Sequence, residues 1–485
     1  MQAVHSLAAR RALQGVCRSG THTAPSSFAV TLSRSLSLSA HLLDTSRPTA
    51  TAVTRGPGRR TPITQSVRHA SSSSPPPETL SKTPLYDFHL AHGAKMVPFG
   101  GFYMPVQYSG LSVSQSHVFT REHASIFDVS HMVQRLFSGP GATAFLERVT
   151  PGGIAALGPY RSTLSALLHP NGKGGIVDDT IITRLPAKVD LFYVVTNAGC
   201  RDKDDAYFAK EMAHWNADNP SQPVMQDQLH GWGLVALQGP KAEAILTQVL
   251  DSSSELNLKD ILFGQSAYAK LKLSNGSLSS RLLISRGGYT GEDGFEISIP
   301  TTETVPVTEA LLAPGPEHVQ LAGLGARDSL RLEAGMCLYG HDLNDTITPV
   351  EAGLSWIIPK DRRSPDAGYY GAERIASQLV TKKKGGAGVE IRRVGLNVEG
   401  APAREGAEIV STEVGDDGKP VYLGTVTSGC PSPTLGKNIA MGYIKDGFHT
   451  TGTEVRVLVR GRPRKAVVTK MPFVPTKYWK GAAPA

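Results

Sequence analysis

Two adjacent carboxylates follow a glycine-rich turn in the first half of the chain. The segment Asn-Gly-Lys-Gly-Gly-Ile-Val-Asp-Asp starts at Asn171 and ends at Asp178 and Asp179. The apolar residues Ile176 and Val177 predict the start of a strand, in which adjacent side chains point to opposite faces. One carboxylate would then serve a site as a general base or an amine anchor. By spacing alone, a turn whose Asp side chains accept backbone amides is the commoner arrangement.

A second candidate carboxylate, Glu296, lies in an apolar strand behind another glycine-rich loop at residues 287–294. Phe295 and Ile297 flank it. An inward Glu296 would need a charged partner or a ligand donor, because burying an unpaired carboxylate is costly. An outward Glu296 would need no explanation, since neighbours in a strand alternate faces. The pattern leaves both orientations open.

A third motif starts a helix. Helical periodicity begins near Arg327, and Arg331 follows one turn later on the same face. An Arg near a helix N-terminus opposes the helix dipole and favours an anionic partner. That partner is either a ligand or, more simply, Asp328 or Glu333 in a salt bridge.

The C-terminal segment, residues 470–478, contains two prolines that hold it extended. It is either a plain tail or a strap over a cleft. No HExxH, CxxC, GxGxxG or GxxxxGK[ST] motif accompanies these candidates, so the sequence gives no support for a metal site or for nucleotide binding. Four cysteines without a paired spacing predict reduced thiols.

The surrounding elements predict a mixed α+β region followed by a β domain. Strand patterns cover residues 191–195 and 233–237, a helix follows Gly239-Pro240, and residues 281–299 form a hairpin. A solvated linker is expected at residues 381–386, which contain three lysines. Beyond residue 390, alternating apolar residues between turns predict a small antiparallel barrel or sandwich.

Charge separates the N-terminus from the rest of the chain. Residues 1–70 hold nine Arg, no Lys and one acid, Asp44, whereas the remainder holds 41 basic and 41 acidic residues. This composition predicts a mitochondrial transit peptide at residues 1–70, cut near Arg68, and a Ser/Pro linker at 71–82. The neutral remainder gives no indication of nucleic-acid binding, and no apolar run is long enough to span a membrane.

Nine segments together resemble one family, the aminomethyltransferase or T-protein of the glycine cleavage system. They comprise residues 83–108, 127–132, 174–179, 193–200, 288–298, 326–342, 348–356, 424–444 and 470–478. The resemblance implies a three-domain cloverleaf around a central folate cavity, with a C-terminal antiparallel β-barrel. The expected domains are a folate-binding region of two α+β lobes at 83–375 and a barrel at 390–478.

The resemblance also implies an activity. A tetrahydrofolate-dependent aminomethyltransferase takes the one-carbon unit from the aminomethyl-dihydrolipoyl carrier protein, the H-protein, and gives 5,10-methylenetetrahydrofolate and ammonia. The carrier supplies the lipoyl group, and no metal is expected. Other glycine cleavage components are the further partners, and the mitochondrial matrix is the expected location.

Residue by residue, Asp179 matches the family's essential aspartate, which either activates the attacking folate nitrogen or stabilises an iminium-like carbon. Glu296 matches the carboxylate that accepts hydrogen bonds from the pterin. The other expected folate-binding residues, in order of position, are Met132, Leu164, Val195, Asn197, Arg327 and Tyr478. Asp178 and Glu292 are expected to be structural.

The alternative is a folate-binding mitochondrial iron–sulfur assembly factor of the same fold. That group carries a Lys-Gly-Cys-Tyr-x-Gly-Gln-Glu signature, whereas residues 287–293 here contain no Cys. A basic stretch at residues 456–465 is either a solvated hairpin, the simpler interpretation, or a docking surface for an acidic lipoyl carrier.

Overall fold

The computed structural model describes residues 80–416 and 418–481. The predicted transit peptide and residues 71–79 of the predicted linker lie outside the described residues. Over the described part, the helices are α1 (Tyr86–Ala91), α2 (Val113–Glu122), α3 (Ala142–Val149), α4 (Arg201–Asp218), α5 (Ala242–Val249), α6 (Thr304–Leu312), α7 (Leu324–Glu333) and α8 (Ala372–Leu379). None of the helices described is long and apolar enough to cross a bilayer.

One sheet has six strands. They are β3 (Ala124–Asp128), β9 (Gly233–Gln238), β10 (Gln265–Ala269), β11 (Leu282–Arg286), β12 (Gly294–Ile299) and β13 (Val319–Ala322). Their order is β10-β11-β12-β9-β3-β13, and only β3 and β13 are parallel. Alternate residues such as Phe295 and Ile297 pack under α5 and α6 in one apolar core. The opposite face of this sheet is therefore free to meet another layer.

A second sheet has five strands, all antiparallel. They are β4 (Val133–Ser138), β5 (Ser162–Leu168), β6 (Ile176–Leu185), β7 (Leu191–Thr196) and β8 (Met225–Gln228), in the order β5-β6-β7-β4-β8. Ile182, Phe192 and Val194 face α3 and α4 in a second core. At the start of β6 the backbone runs so close to the Asp345 carbonyl that a Cβ on Gly175 would overlap it.

The inner faces of the two sheets share a third apolar cluster with α7. Phe127 and Ala236 of the larger sheet, Tyr193 and Val195 of the smaller, and Leu330 of α7 belong to it. The hairpin of β1 (Ala94–Phe99) and β2 (Phe102–Tyr108) borders α7, because a Cβ on Gly323 would lie 2.5 Å from the Val106 carbonyl. This cluster brings the strands with the predicted site residues together.

The C-terminal strands close into a barrel. They are β14 (Ile391–Val398), β15 (Glu408–Val414), β16 (Pro420–Ser432), β17 (Lys437–Lys445), β18 (Glu454–Val459) and β19 (Arg462–Thr469), with β14 paired to both β17 and β19. The barrel has its own apolar interior. Leu332 of α7 packs on Met441 and Ile439 of β17, which attaches the barrel to the central helix.

The predicted α+β class and the C-terminal antiparallel barrel are confirmed. The predicted strands, the hairpin and the helix after Gly239-Pro240 are present, although that helix starts at Ala242. The helix predicted near Arg327 starts earlier, at Leu324, because Gly323 is still extended. Cys200 and Cys430 are buried free thiols and Cys337 is a partly exposed one, as the spacing predicted.

Candidate functional site

Asp179 lies on the inner face of the smaller sheet and Asp178 on the opposite face. Asp179 is partly exposed, whereas Asp178 is fully buried on the side that carries α4. Asn197, just beyond β7, connects the two carboxylates. Its Nδ2 donates to Asp178 Oδ1 and to Asp179 Oδ1, each over 2.8 Å, and its backbone N–H donates to Asp178 Oδ2 over 2.8 Å.

This environment raises the pKa of Asp179 to about 7. Desolvation of the carboxylate is the main cause, and the nearby charge of Asp178 adds to it, while the hydrogen bond from Asn197 opposes both. A carboxyl group with this pKa exchanges a proton readily at neutral pH. Of the two adjacent aspartates, Asp179 is therefore the one suited to general acid–base chemistry.

An apolar strip extends from Asp179 across the inner face of this sheet. Leu164 lies opposite Ile181 in the strand register, and Ile181 lies opposite Val195. Ile181 is 39% exposed although β6 has a strand on each side. An apolar side chain exposed at such a position implies open space above the sheet, and Leu164 and Val195 border the same space. Met132 is partly buried in the adjacent inter-sheet cluster.

Glu296 lies on the inner face of the larger sheet, so the question left open by its apolar neighbours is answered. Its register partner Ala236 belongs to the inter-sheet cluster, whereas Phe295 and Ile297 belong to the core under the helices. Burial raises the pKa of the Glu296 carboxyl, and the charge of Arg327 opposes this rise. Glu296 accepts no hydrogen bond from the residues that the structure describes.

Arg327 lies near Glu296 without a salt bridge to it. The Arg327 Cζ lies 4.7 Å from the ring centroid of Tyr289, and Nη1 is buried without a hydrogen-bond partner among the described residues. Burial lowers the pKa of the guanidinium, and Glu296 and Tyr289 oppose this. Asp328, one of the predicted alternative partners of Arg327, instead forms a salt bridge with Arg331 over 2.8 Å.

The C-terminal segment is a strap rather than a free tail. Phe473 N–H donates to the Glu333 carbonyl and Lys477 N–H to the Gly291 carbonyl, each over 2.8 Å. Tyr478 stacks on Phe263 with ring centroids 4.1 Å apart, and its buried hydroxyl has no partner among the described residues. The strap thus holds Tyr478 beside the loop between β11 and β12.

Tyr289 connects the two halves of the site. It lies in the loop between β11 and β12, and its hydroxyl donates to the Cys337 carbonyl. Burial raises the Tyr289 pKa, and the charges of Asp179 and Arg327 both act on it. The structure therefore brings Asp179, Asn197, Arg327 and Glu296 to one region, while Met132, Leu164, Val195 and Tyr478 lie at its borders.

The two carboxylates expected to be structural have internal partners. Asp178 is bonded to Asn197, and Glu292 receives Arg121 Nη1 over 3.0 Å and Lys477 Nζ over 3.1 Å. Glu292 in this way attaches the strap to α2. Glu292 Oε1 takes both of these bonds, while Oε2 is buried without a hydrogen-bond partner among the described residues.

Sequence reasoning missed three residues of this region. Strand alternation could have identified Ile181, because it stands two positions after Asp179 and therefore lies on the same face of the strand. Tyr289 lay within a recognised segment but had no assigned role. Asp204, buried near Asp178, had no signal at all, since α4 opens with Arg-Asp-Lys-Asp-Asp and resembles a solvated helix start.

The free polar groups suit a flat heterocycle with several N–H donors and a carbonyl. Glu296 can accept two parallel N–H bonds, and Arg327 Nη1 and the Tyr478 hydroxyl can donate. Within the described residues, no group of three or more His, Cys, Asp or Glu side chains is arranged to hold a metal ion.

Comparisons with known proteins identify the family that the chain is similar to. The family model described as the GCVT N-terminal domain matches residues 85–362, and the glycine cleavage T-protein C-terminal barrel domain matches residues 392–475. The chain is 48% identical to the probable mitochondrial aminomethyltransferase of Schizosaccharomyces pombe, over 86% of this chain and 98% of that protein. It is 46% identical to the mitochondrial aminomethyltransferase of Mus musculus, over 83% and 92% respectively.

A solved structure shows the same fold. The glycine cleavage system aminomethyltransferase T from Bartonella henselae superposes with a TM-score of 0.70 at 37% identity, over 82% of this chain and 99% of that one. Family models cover both the mixed region and the barrel, and the relatives match over nearly their whole length. The chain therefore belongs to the aminomethyltransferase, or T-protein, family of the glycine cleavage system.

Proposed function

We propose that this protein transfers the one-carbon unit from an aminomethyl-dihydrolipoyl carrier to tetrahydrofolate, with release of ammonia. One observation carries the proposal: a single region contains both an acid–base group and free polar groups. Asp179 has a carboxyl pKa of about 7. Glu296 accepts no hydrogen bond from the described residues, and Arg327 Nη1 has no partner among them. Family membership supports the reaction class, and the site supports the substrate.

Glu296 and Arg327 would bind the pterin and set its orientation. A pterin presents a row of N–H groups beside a carbonyl, which a carboxylate and a guanidinium match. The apolar strip of Leu164, Ile181 and Val195 would cover the remaining flat surface. Tyr478, held by the strap, would complete the pocket at its border. Bound tetrahydrofolate would supply the two nitrogen atoms that finally hold the carbon.

Asp179 would move a proton during the transfer. Its carboxylate accepts a proton from the attacking folate nitrogen and returns one to the departing amine, for which a pKa near 7 is well suited. Asn197 holds Oδ1 in place over 2.8 Å, which fixes the direction of the other oxygen. The transfer removes two N–H protons from the folate. Asp179 passes one to the departing amine, and the dihydrolipoyl sulfur takes the other and leaves as a thiol.

The carrier would be the H-protein, with other glycine cleavage components as further partners. Arg456 and Lys465 face each other across β18 and β19 on the barrel, where a solvated hairpin remains the simpler interpretation. Charge reversal of both residues should raise the apparent KM for the carrier if this surface docks it. An unchanged carrier dependence and salt dependence would remove this surface from the proposal.

The expected location is the mitochondrial matrix. The named relatives are mitochondrial, and the excess of Arg at residues 1–70 supports import. N-terminal sequencing of the protein purified from mitochondria should begin after Arg68. Retention of Met1 would contradict the predicted transit peptide.

The decisive experiment supplies the purified protein with tetrahydrofolate and aminomethylated carrier protein and measures ammonia. Release of ammonia that requires both components is expected. Folate binding without turnover would favour the iron–sulfur assembly alternative instead, and release without folate would contradict the role of the pocket.

A further inference from the structure

A buried pair of carboxylates lies behind Asp179, on the face of the smaller sheet that α4 covers. Asp178 of β6 and Asp204 of α4 are both fully buried. With both groups ionised, neither oxygen of Asp204 has a hydrogen-bond donor among the described residues. The two side chains interact directly, since the charge of Asp178 raises the pKa of Asp204. Two interacting like charges in a dry environment cannot both persist, and a shared proton removes the conflict.

The proton belongs on Asp204. Burial raises the pKa of Asp178 too, but Asp178 accepts two N–H bonds from Asn197, which favour its charged form. For Asp204, burial together with the charge of Asp178 raises the pKa to about 9, and the nearby Thr196 hydroxyl and the charge of Arg135 oppose this only in part. A protonated Asp204 then becomes the donor that a buried anionic Asp178 requires.

We propose that Asp204 stays protonated and donates to an anionic Asp178, so that this pair positions Asn197 and tunes Asp179 for proton transfer. The inference deepens the proposed function, because it assumes that Asp179 acts in the transfer. Asp204 is a positioning residue: it reaches Asp179 only through Asp178 and Asn197.

Other charged and titratable groups also face this cluster from the elements around it. They are Arg135 of β4, Cys200, Lys203 and Tyr207 at or on α4, Tyr339 from the loop after α7, and Tyr289 and Cys337 on the side of Asp179. Arg135 pairs through Nη1 with Asp205 over 2.5 Å, but its Nε and Nη2 are buried without hydrogen-bond partners among the described residues, and its charge opposes the rise in the Asp204 pKa. Lys203 pairs with Asp345 over 3.2 Å. The tyrosines and cysteines stay neutral near pH 7, because burial raises each of their pKa values.

Infrared spectroscopy tests the proton directly, without turnover. The whole protein, labelled with ¹³C at its aspartate carboxyl carbons, should show a protonated carboxyl band at pH 8 that is absent from Asp204→Asn. An Asp202→Asn variant is the matched control, because Asp202 is an exposed aspartate on the same helix turn. Identical spectra for wild type and Asp204→Asn would overturn the proposal.

Kinetics test the positioning. Asp204→Ala removes the donor, so Asp178 should take up the proton itself. The kcat should fall about 10- to 100-fold with little change in the KM for folate. The pH limb assigned to Asp179 should move down by about one unit, because the neighbouring negative charge is lost.

The conservative variant distinguishes this role from a structural one. Asp204→Asn keeps a donor for Asp178 and should restore most of the kcat and the original pH limb. If the Ala and Asn variants have equal kcat and unshifted pH limbs, the positioning role is wrong. If the protonated carboxyl band disappears in Asp204→Asn as expected but Asp179→Asn is fully active, then Asp204 and Asp178 do share a proton. The proposed function of Asp179 in the transfer would then be wrong.

Discussion

Two carboxylates, Glu333 of α7 and Asp179 of β6, differ in the number of hydrogen-bond donors that they receive. Glu333 of α7 accepts from Arg121 over 2.7 Å, from His117 over 3.1 Å and from Thr434 over 2.7 Å. Burial opposes its ionisation, but these bonds and one from Ser432 prevail and lower its pKa to about 2. Asp179 receives one side-chain donor, from Asn197, and its pKa rises to about 7.

The difference shows how the same chemical group is given two tasks. Donors from α2 and the barrel fix the charge of Glu333, which makes it a structural anchor between the elements that meet at α7. The sparse donors around Asp179 leave its charge easily changed, as acid–base chemistry requires. The number of donors, rather than the depth of burial, separates the two regions.

The largest expected effect follows from removing the proton-exchanging group. Asp179→Asn keeps the shape and the Asn197 contact but cannot accept a proton, so kcat should fall about 10²- to 10⁴-fold. Folate affinity by calorimetry and the thermal midpoint should stay close to wild type. An Asp202→Asn variant controls for the loss of one charge. Full turnover in Asp179→Asn would remove Asp179 from the mechanism.

Glu333→Gln should lower the free energy of unfolding and leave the chemical step of the transfer unchanged. It leaves buried donors around α7 without their anion, at a cost of about 3–5 kcal/mol in the free energy of unfolding. Because the folded pKa of Glu333 lies below its ordinary value of 4.5, its stabilisation is complete above that value and is lost as the pH falls towards 2. Urea unfolding of wild type and variant between pH 7 and 3 measures this.

The exposed Glu317 offers a control for this measurement. Glu317→Gln should change the free energy of unfolding by less than about 0.5 kcal/mol. If Glu333→Gln were no more destabilising than Glu317→Gln, the number of donors would not distinguish an anchor from an active group.

Glu296→Gln should weaken folate binding by about 10- to 100-fold, because an amide accepts only one of the two pterin N–H bonds and brings a competing donor. Stability should change little or increase slightly, since burial already penalises the Glu296 charge. Calorimetry with tetrahydrofolate measures the affinity, and Glu317→Gln serves again as the control. Unchanged affinity would exclude Glu296 from the pocket.

Much of this arrangement could be predicted from the sequence, because strand alternation is a local property. The opposite faces of Asp178 and Asp179 and the hairpin around residues 287–294 follow from patterns within a few residues. The role of Glu296 depended on which face of β12 meets another sheet, and only the tertiary structure decides that. The resemblance to a family identified the residue, but the alternation of its neighbours left both orientations open.

Asp204 shows where local reasoning ends. It belongs to a charged helix start that resembles a solvated one, yet it is fully buried beside Asp178, a residue more than twenty positions earlier in the chain. No pattern in either segment encodes the encounter of the two carboxylates. The packing of α4 on the smaller sheet creates it, and the pKa values follow from that packing.

The smallest expected effect concerns the strap. Tyr478→Phe keeps the stack on Phe263, whose centroid lies 4.1 Å away, and removes only the unpartnered hydroxyl. Loss of one neutral hydrogen bond to the ligand should weaken folate binding about 2- to 10-fold, while the thermal midpoint of the free protein stays the same or rises. Tyr478→Ala, which also removes the stack, should lower both. Equal folate affinity for wild type and Tyr478→Phe would mean that the strap supports the pocket through its ring alone, so that the donors to the ligand come only from the groups around Asp179 and Arg327.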